Sequence, residues 1–266
     1  MKETMVEVRG LTFSYKPGRE ILSGVGFTLH KGDVLSILGA NGAGKSTLFN
    51  CLCGLLAPDK GEILFKGRNL ADITITGLSL LLGYVPQMSS PDFSYSVRDY
   101  LVMGRAPHMH TLAVPGRAEY EKVDAVLEKL EIGHLANKAF SEISGGERQQ
   151  AQIARVLVQE SEIVLMDEPT NHLDYGNQFK ILRLISELSA AGMTIIMTTH
   201  MPDHAMLMEG KVGILDREGH LAVGAPLDIL TEGTLKKIYN TQLHLVFVEE
   251  VGRMACLVDS FWKQPV

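Results

Sequence analysis

Only three cysteines, Cys51, Cys53 and Cys256, occur in the 266 residues, and they form neither a CxxC pair nor an even set. That disfavours a disulfide framework and leads to an expectation of free thiols in a reducing compartment. Long apolar runs are missing too. The best of them, such as LSLLLGYV at 78–85, fall far short of the ~20 residues that cross a bilayer, and the opening MKETMVEVRG carries no apolar stretch like that of a signal peptide. Any membrane role is therefore expected to run through a partner. No run of Lys or Arg exceeds two residues and the formal net charge is −6, so no nucleic-acid partner is expected. There is no internal repeat, low-complexity tract or long Pro/Ser-rich linker. With 45% apolar residues the chain can still fill a sizeable core, as one large domain or two small lobes.

The order of local patterns divides the chain. MVEVRG, LTFSY and GFTLH alternate with turn residues such as Lys16-Pro17-Gly18 and read as an antiparallel sheet. VLSIL at 34–38 is then an apolar run, followed by a glycine loop and by STLFNCLCGL at helical spacing: strand, loop, helix. IVLM at 163–166, a helical FKILRLISEL and TIIMTTH at 194–200 repeat the alternation, and such near-continuous apolar strands belong to a parallel sheet buried on both faces. Between these halves, roughly 90–160, Ser96-Val-Arg-Asp99 offers a capping box and Tyr120, Val123, Val126, Leu127 and Leu130 mark one helix face, which predicts an inserted helical subdomain. From KVGILDREGHLAVG onward the pattern returns to a hairpin and a short helix around 226–238, and LHLVFVEE with MACLVDS is expected to add an edge pair.

Gly39-Ala40-Asn41-Gly42-Ala43-Gly44-Lys45-Ser46 satisfies G-x-x-x-x-G-K-[ST] in the required place, after a buried strand and before a helix, with Thr47 next. Its glycines free backbone amides to wrap phosphate oxygens, the helix contributes its positive end, Lys45 reaches the outer phosphates, and the Ser46 hydroxyl is placed for Mg²⁺. Asp167 and Glu168 end the IVLM strand. A carboxylate there is costly unless it meets something positive, and water on Mg²⁺ is the expected partner of Asp167. Because neighbouring strand residues point oppositely, Glu168 is expected to face a water aligned on the γ-phosphate. A strand-end Asp-Glu before Pro169 is otherwise a solvated turn.

SGGERQQ at 144–150 opens a further helix. Ser144 and Glu147 have capping-box spacing, but Gly145 and Gly146 each cost roughly 1 kcal/mol relative to alanine inside a helix. Such a pair is expected where an anion must come close to helix N-terminal amides.

The phosphate loop, SGGE and the Asp-Glu-Pro run, in that order, resemble the nucleotide-binding subunits of ABC transporters over nearly the whole chain. The resemblance implies a P-loop ATPase of α/β class, a single domain over 1–266. It has a catalytic core at 1–89 and 161–240, a helical subdomain at 90–160 and a strand-rich tail at 241–266. It implies ATP and Mg²⁺ as ligands, with Ser144, Gly145, Gly146 and Glu147 meeting the γ-phosphate of ATP held by the other subunit of a head-to-tail homodimer. Tyr15 matches the aromatic that stacks on adenine, Gln87 the glutamine that contacts metal and attacking water, and His200 the switch histidine on the γ-phosphate. Asp174, in Asn171-His172-Leu173-Asp174, matches a loop that crosses the dimer interface. Taken singly, Tyr15, Gln87 and His200 have plain structural readings as packing, loop and strand-end residues. Ile143 and Glu147 depart from the commoner LSGGQ.

VRDYLVMGRAPHMH at 97–110 further resembles importers of metal chelates: siderophores, haem, cobalamin, and in some relatives molybdate. That implies a peripheral place on the cytoplasmic face of the membrane, beneath a permease dimer fed by an extracellular or periplasmic binding protein. The helical subdomain and the loop after Gln87 would form the cleft for the permease. The alternative is a soluble ABC ATPase of iron-sulfur cluster assembly or another remodelling task.

Overall fold

A computed structural model describes residues 2–87, 95–110 and 112–259. Strands β1 (Thr4–Lys16) and β2 (Arg19–His30) form an antiparallel pair. MVEVRG and LTFSY, expected as separate runs, are one strand: Gly10, at φ +60°, supports a bulge between the pairs Val8–Phe27 and Leu11–Val25. After β3 (Val34–Leu38) and α1 (Lys45–Leu52), the chain returns to this sheet through β4 (Lys60–Phe65) and β5 (Arg68–Asn69), in the order β2-β1-β4-β5. It then runs through α2 (Ile75–Leu81) and β6 (Leu82–Val85).

Three helices follow, α3 (Val97–Val102), α4 (Arg117–Lys129) and α5 (Gly145–Val158). They share a separate apolar cluster in which Val123 and Leu127 of α4 are buried and Tyr120, Val126 and Leu130 pack at its border. Ser96 caps α3 by accepting from the Asp99 amide at 3.0 Å, but the expected box is not reciprocal. The Asp99 carboxylate accepts instead from the Ser96 hydroxyl at 2.6 Å and from Tyr120 Oη of α4 at 3.0 Å. The loop that follows Gln87 lies outside the described residues.

β7 (Ile163–Met166), α6 (Tyr175–Ala190), β8 (Thr194–Thr198), α7 (Pro202–Leu207) and β9 (Lys211–Leu215) complete the second sheet with β10 (Leu221–Gly224). Its order is β10-β9-β3-β8-β7-β6, parallel throughout except at β10–β9. The period-two alternation of strands decides what each side chain meets. Ile163 and Leu165 of β7 and Ile196 of β8 join Leu48, Phe49 and Leu52 of α1 in a core shared with the antiparallel sheet. Val164, Met166, Ile195 and Met197 face the other way, onto Ile181, Leu182 and Ile185 of α6 and Ile153 and Val156 of α5. Phe49 is 1% exposed, and truncating such a side chain to alanine costs about 3–5 kcal/mol.

The single helix expected around 226–238 is two, α8 (Pro226–Ile229) and α9 (Glu232–Tyr239), because Thr231 leaves the helical conformation to cap α9. β11 (Leu243–Val248) and β12 (Arg253–Val258) pair with each other as an independent antiparallel ribbon, rather than extending the edge of either sheet. Ser260 of the expected MACLVDS strand is outside the described residues.

The consequence for function lies in one edge. Gly39 follows β3, Gln87 follows β6, Asp167 and Glu168 follow β7, and His200 follows β8, so parallel pairing brings all four segments to the same carboxyl-terminal rim of the sheet.

Candidate nucleotide site

The loop after β3 is shaped by what glycine permits. A Cβ on Gly39 would stand 2.6 Å from the Leu215 carbonyl oxygen of β9, so only glycine lets the loop leave the sheet there. Gly44, at φ +104°, caps α1 in a conformation that costs other residues roughly 1–2 kcal/mol. Lys45 is 7% exposed, and its ammonium donates to the carbonyls of Gly39 at 2.7 Å and Ala40 at 3.2 Å. An ammonium has three donors, so one remains for a ligand. Burial pulls its pKa below the usual lysine value, while Glu168 and Asp167 oppose that shift.

A cavity of about 650 Å³ opens over this loop. Ten of the residues singled out by sequence line it: Tyr15, Asn41, Gly42, Gly44, Lys45, Ser46, Thr47, Gln87, Glu168 and His200. Tyr15 is 60% exposed, stands edge-on to Phe13 and shares a 3.3 Å hydroxyl contact with Thr47, leaving a ring face at the rim of the phosphate loop. Gly39, Ala43 and Asp167 lie behind the lining; the Ala43 amide donates to Ala40 and closes the loop's turn.

Asp167 is 7% exposed and accepts a 2.6 Å hydrogen bond from the Thr198 hydroxyl. Glu168 sits at φ +48°, in the left-handed region, because β7 has already ended at Met166. The two carboxylates therefore diverge through a turn and not through strand alternation, which corrects the geometric basis of the sequence expectation. Glu168 Oε2 accepts from Gln87 Nε2 at 3.0 Å and Asn171 Nδ2 at 2.9 Å, and Oε1 pairs with His200 Nε2. Strands β6, β7 and β8 thus converge on one carboxylate. Sequence reasoning missed Asn171, Ile21, His172 and Thr198 as members of this surround; only Asn171, three residues after Glu168 in a turn, had a local signal.

Among the described residues no cluster of three or more His, Cys, Asp or Glu forms a metal cage. Ser46 and Gln87 on the cavity wall, with the buried Asp167 carboxylate behind, nevertheless fit Mg²⁺, which takes few protein ligands beside phosphate oxygens and waters.

The SGGE segment lies elsewhere. Ser144 Oγ accepts from the Glu147 amide at 3.3 Å, and Glu147 Oε2 accepts from the Ser144 amide at 2.8 Å, so the capping box is complete. The bond from the Ser144 amide holds the Glu147 carboxyl below its usual pKa. Gly145 is half-buried and Gly146 buried, the latter against Asn177 of α6. Asp174 caps α6 through the Asn177 amide at 2.9 Å and side chain at 2.7 Å, which depresses its pKa. Neither Asp174 nor any residue of SGGE lines the cavity above the phosphate loop.

A lysine-bearing glycine loop on the carboxyl rim of a parallel sheet, opposed by a strand-end carboxylate pair, defines the P-loop nucleoside-triphosphate hydrolases. Within that class, the chain belongs to the ABC transporter family, whose profile matches residues 22–171. It is an ATP-binding cassette ATPase. The molybdate import ATP-binding protein MolC of Haemophilus influenzae is 35% identical over 236 residues, covering 88% of each chain. The hemin import ATP-binding protein HmuV of Pseudomonas putida is 35% identical over 88% of this chain and 92% of its own. Among solved structures, a chain of an inward-facing ABC transporter assigned to the metal-chelate type superposes with a TM-score of 0.84 at 32% identity, covering 96% of this chain and 97% of that one. An ATP-binding cassette of an ABC transporter in its ADP conformation gives 0.80 at 25% identity.

Proposed function

We propose that this ATPase powers import of a metal chelate, of the iron-siderophore, haem or cobalamin type, through a separate permease dimer. The observation that carries the reading is near full-length similarity to the hemin import protein HmuV, at 35% identity, together with that to the metal-chelate type transporter, at a TM-score of 0.84. No described helix is long and apolar enough to cross a membrane, which fits a subunit held at the cytoplasmic face by its permease. The permease would in turn be supplied by an extracellular or periplasmic binding protein.

In this reading ATP lies with its adenine on Tyr15 and its phosphates on Gly39, Asn41, Gly42, Ala43, Gly44, Lys45, Ser46 and Thr47. Mg²⁺, held by Ser46, Gln87 and, through water, Asp167, would supply charge neutralisation on the phosphates. Glu168 accepts the proton of the attacking water, His200 both orients Glu168 and meets the γ-phosphate, and Gln87 ties the site to the helical subdomain. Lys45, held by the Gly39 and Ala40 carbonyls, offers its remaining donor to a phosphate oxygen. The position of Ser144, Gly145, Gly146, Glu147 and Asp174 away from this cavity supports their facing the nucleotide of a second copy, in a head-to-tail homodimer.

Reconstitution of the ATPase with its permease and binding protein in lipid vesicles tests the cargo. An iron-siderophore, haem or cobalamin should raise ATP hydrolysis several-fold over the unloaded system. Stimulation by molybdate alone, or hydrolysis indifferent to all four, would overturn the chelate assignment.

A further inference from the structure

We propose that Thr198 is the positioning residue of the hydrolytic site, its one buried hydroxyl setting both the Asp167 carboxylate and the backbone of Glu168. Thr198 is 0% exposed at the carboxyl end of β8. Its Oγ1 donates to Asp167 Oδ1 at 2.6 Å and accepts from the Glu168 amide at 2.9 Å. The directions are forced: an ionised carboxylate only accepts and an amide only donates, so the single hydroxyl proton belongs to Asp167 and a lone pair to Glu168. A 2.6 Å distance is that of a charge-assisted bond, the stronger kind.

The two bonds act on different things. The first fixes which way the carboxylate turns, while the Asp167 amide, donating to Val85 of β6 at 2.9 Å, anchors the same residue from the other side. The second holds Glu168 in its left-handed conformation at φ +48°, a state disfavoured for a residue with a Cβ. Were Glu168 to relax toward negative φ, its side chain would leave Gln87, Asn171 and His200, the three partners that aim it. The register Met166–Met197 between β7 and β8 is what places Thr198 beside both residues. The inference rests on the roles proposed above for Asp167 and Glu168.

The test compares Thr198→Val, Thr198→Ser and, as a control, Thr194→Val. Thr194 is an equally buried hydroxyl at the far end of the same strand, bonded to His30 and Gly32. In the nucleotide-free protein, hydrogen exchange at the Glu168 amide should quicken roughly 10-fold or more in Thr198→Val, the scale of one lost hydrogen bond. Its kcat should fall by a similar factor, roughly 10-fold, with KM for ATP nearly unchanged and more Mg²⁺ needed for half-maximal rate. Thr198→Ser should restore both readouts, and Thr194→Val should alter neither. A Thr198→Val protein that matches Thr194→Val, or one that Thr198→Ser fails to rescue, overturns the proposal. If Thr198→Val does not fold, exchange in the unmodified protein decides: a Glu168 amide as slow as those of β7 supports it, and one as fast as an open loop overturns it. Glu168→Gln measured alongside separates the two readings. Turnover retained there defeats the site assignment itself, whereas turnover lost there but kept in Thr198→Val defeats only the role of Thr198.

Discussion

Gly146, in the first turn of α5, packs directly against Asn177 in the first turn of α6: a Cβ on Gly146 would stand 2.7 Å from Asn177 Cγ. Asn177 has no freedom to retreat, because both its amide and its side chain are held by Asp174. A glycine at this position is therefore required by packing between two helix N-termini, whatever approaches the amides beside it. Gly146→Ala should lower stability by about 1–3 kcal/mol, the usual cost of overpacking. Combining it with Asn177→Ala should recover most of that loss in a denaturation-based double-mutant cycle, beyond what the single changes predict. Strict additivity would show that the two side chains do not meet.

The carboxylate assignment separates binding from chemistry. Glu168→Gln should keep ATP affinity while hydrolysis falls roughly 10²-fold or more, the scale of a lost general base. Lys45→Ala should instead lose nucleotide binding, since among the described residues no other buried lysine or arginine lines the phosphate loop. Titration with a fluorescent ATP analogue alongside a phosphate-release assay distinguishes them, and near-normal turnover in Glu168→Gln would remove Glu168 from its role.

The separation of SGGE from its own chain's phosphate loop predicts association. With hydrolysis blocked by Glu168→Gln, ATP but not ADP should drive a dimer visible by size exclusion. Adding Ser144→Arg should leave ATP binding intact and the protein monomeric. The double variant also loses a helix cap, worth about 0.5–2 kcal/mol, so its melting point should drop modestly without loss of the fold. Dimerisation equal to that of the parent would reduce SGGE to a helix cap.

His204 carries a pH prediction. It is 2% exposed, shares a hydrogen bond with Thr170, and burial holds its pKa below the ordinary 6.5, with Asp203 only partly opposing this. Between its folded value and 6.5 the unfolded chain binds the extra proton, so stability rises with pH there and is lost as pH falls below about 6.5. His204→Gln should cost stability at about pH 7.5 through lost packing, yet narrow its deficit as pH falls to about 5.5. Melting curves that run parallel for the two proteins would assign the acid sensitivity elsewhere.

What the amino-acid order determined by itself is what depends on contacts a few residues apart. Five consecutive buried residues in VLSIL, a glycine loop with Lys45 and Ser46, and the Ser144–Glu147 spacing each encode a local conformation, because strand alternation, helical periodicity and capping bonds close within one turn or pleat. The family resemblance rested on the phosphate loop, SGGE and the Asp167-Glu168-Pro169 run, in that order. Tertiary structure decided everything that needed two distant segments in register. Thr198 meets Asp167 across 31 residues only because β8 pairs with β7. Asp99 abandons its capping box because α4 brings Tyr120 within 3.0 Å. Glu168, itself left-handed, turns away from Asp167, with its backbone held by Thr198 and its carboxylate by the converging Gln87, Asn171 and His200. In each case the local sequence admits more than one low-energy arrangement, and hydrogen bonds closed across strands or helices select one of them.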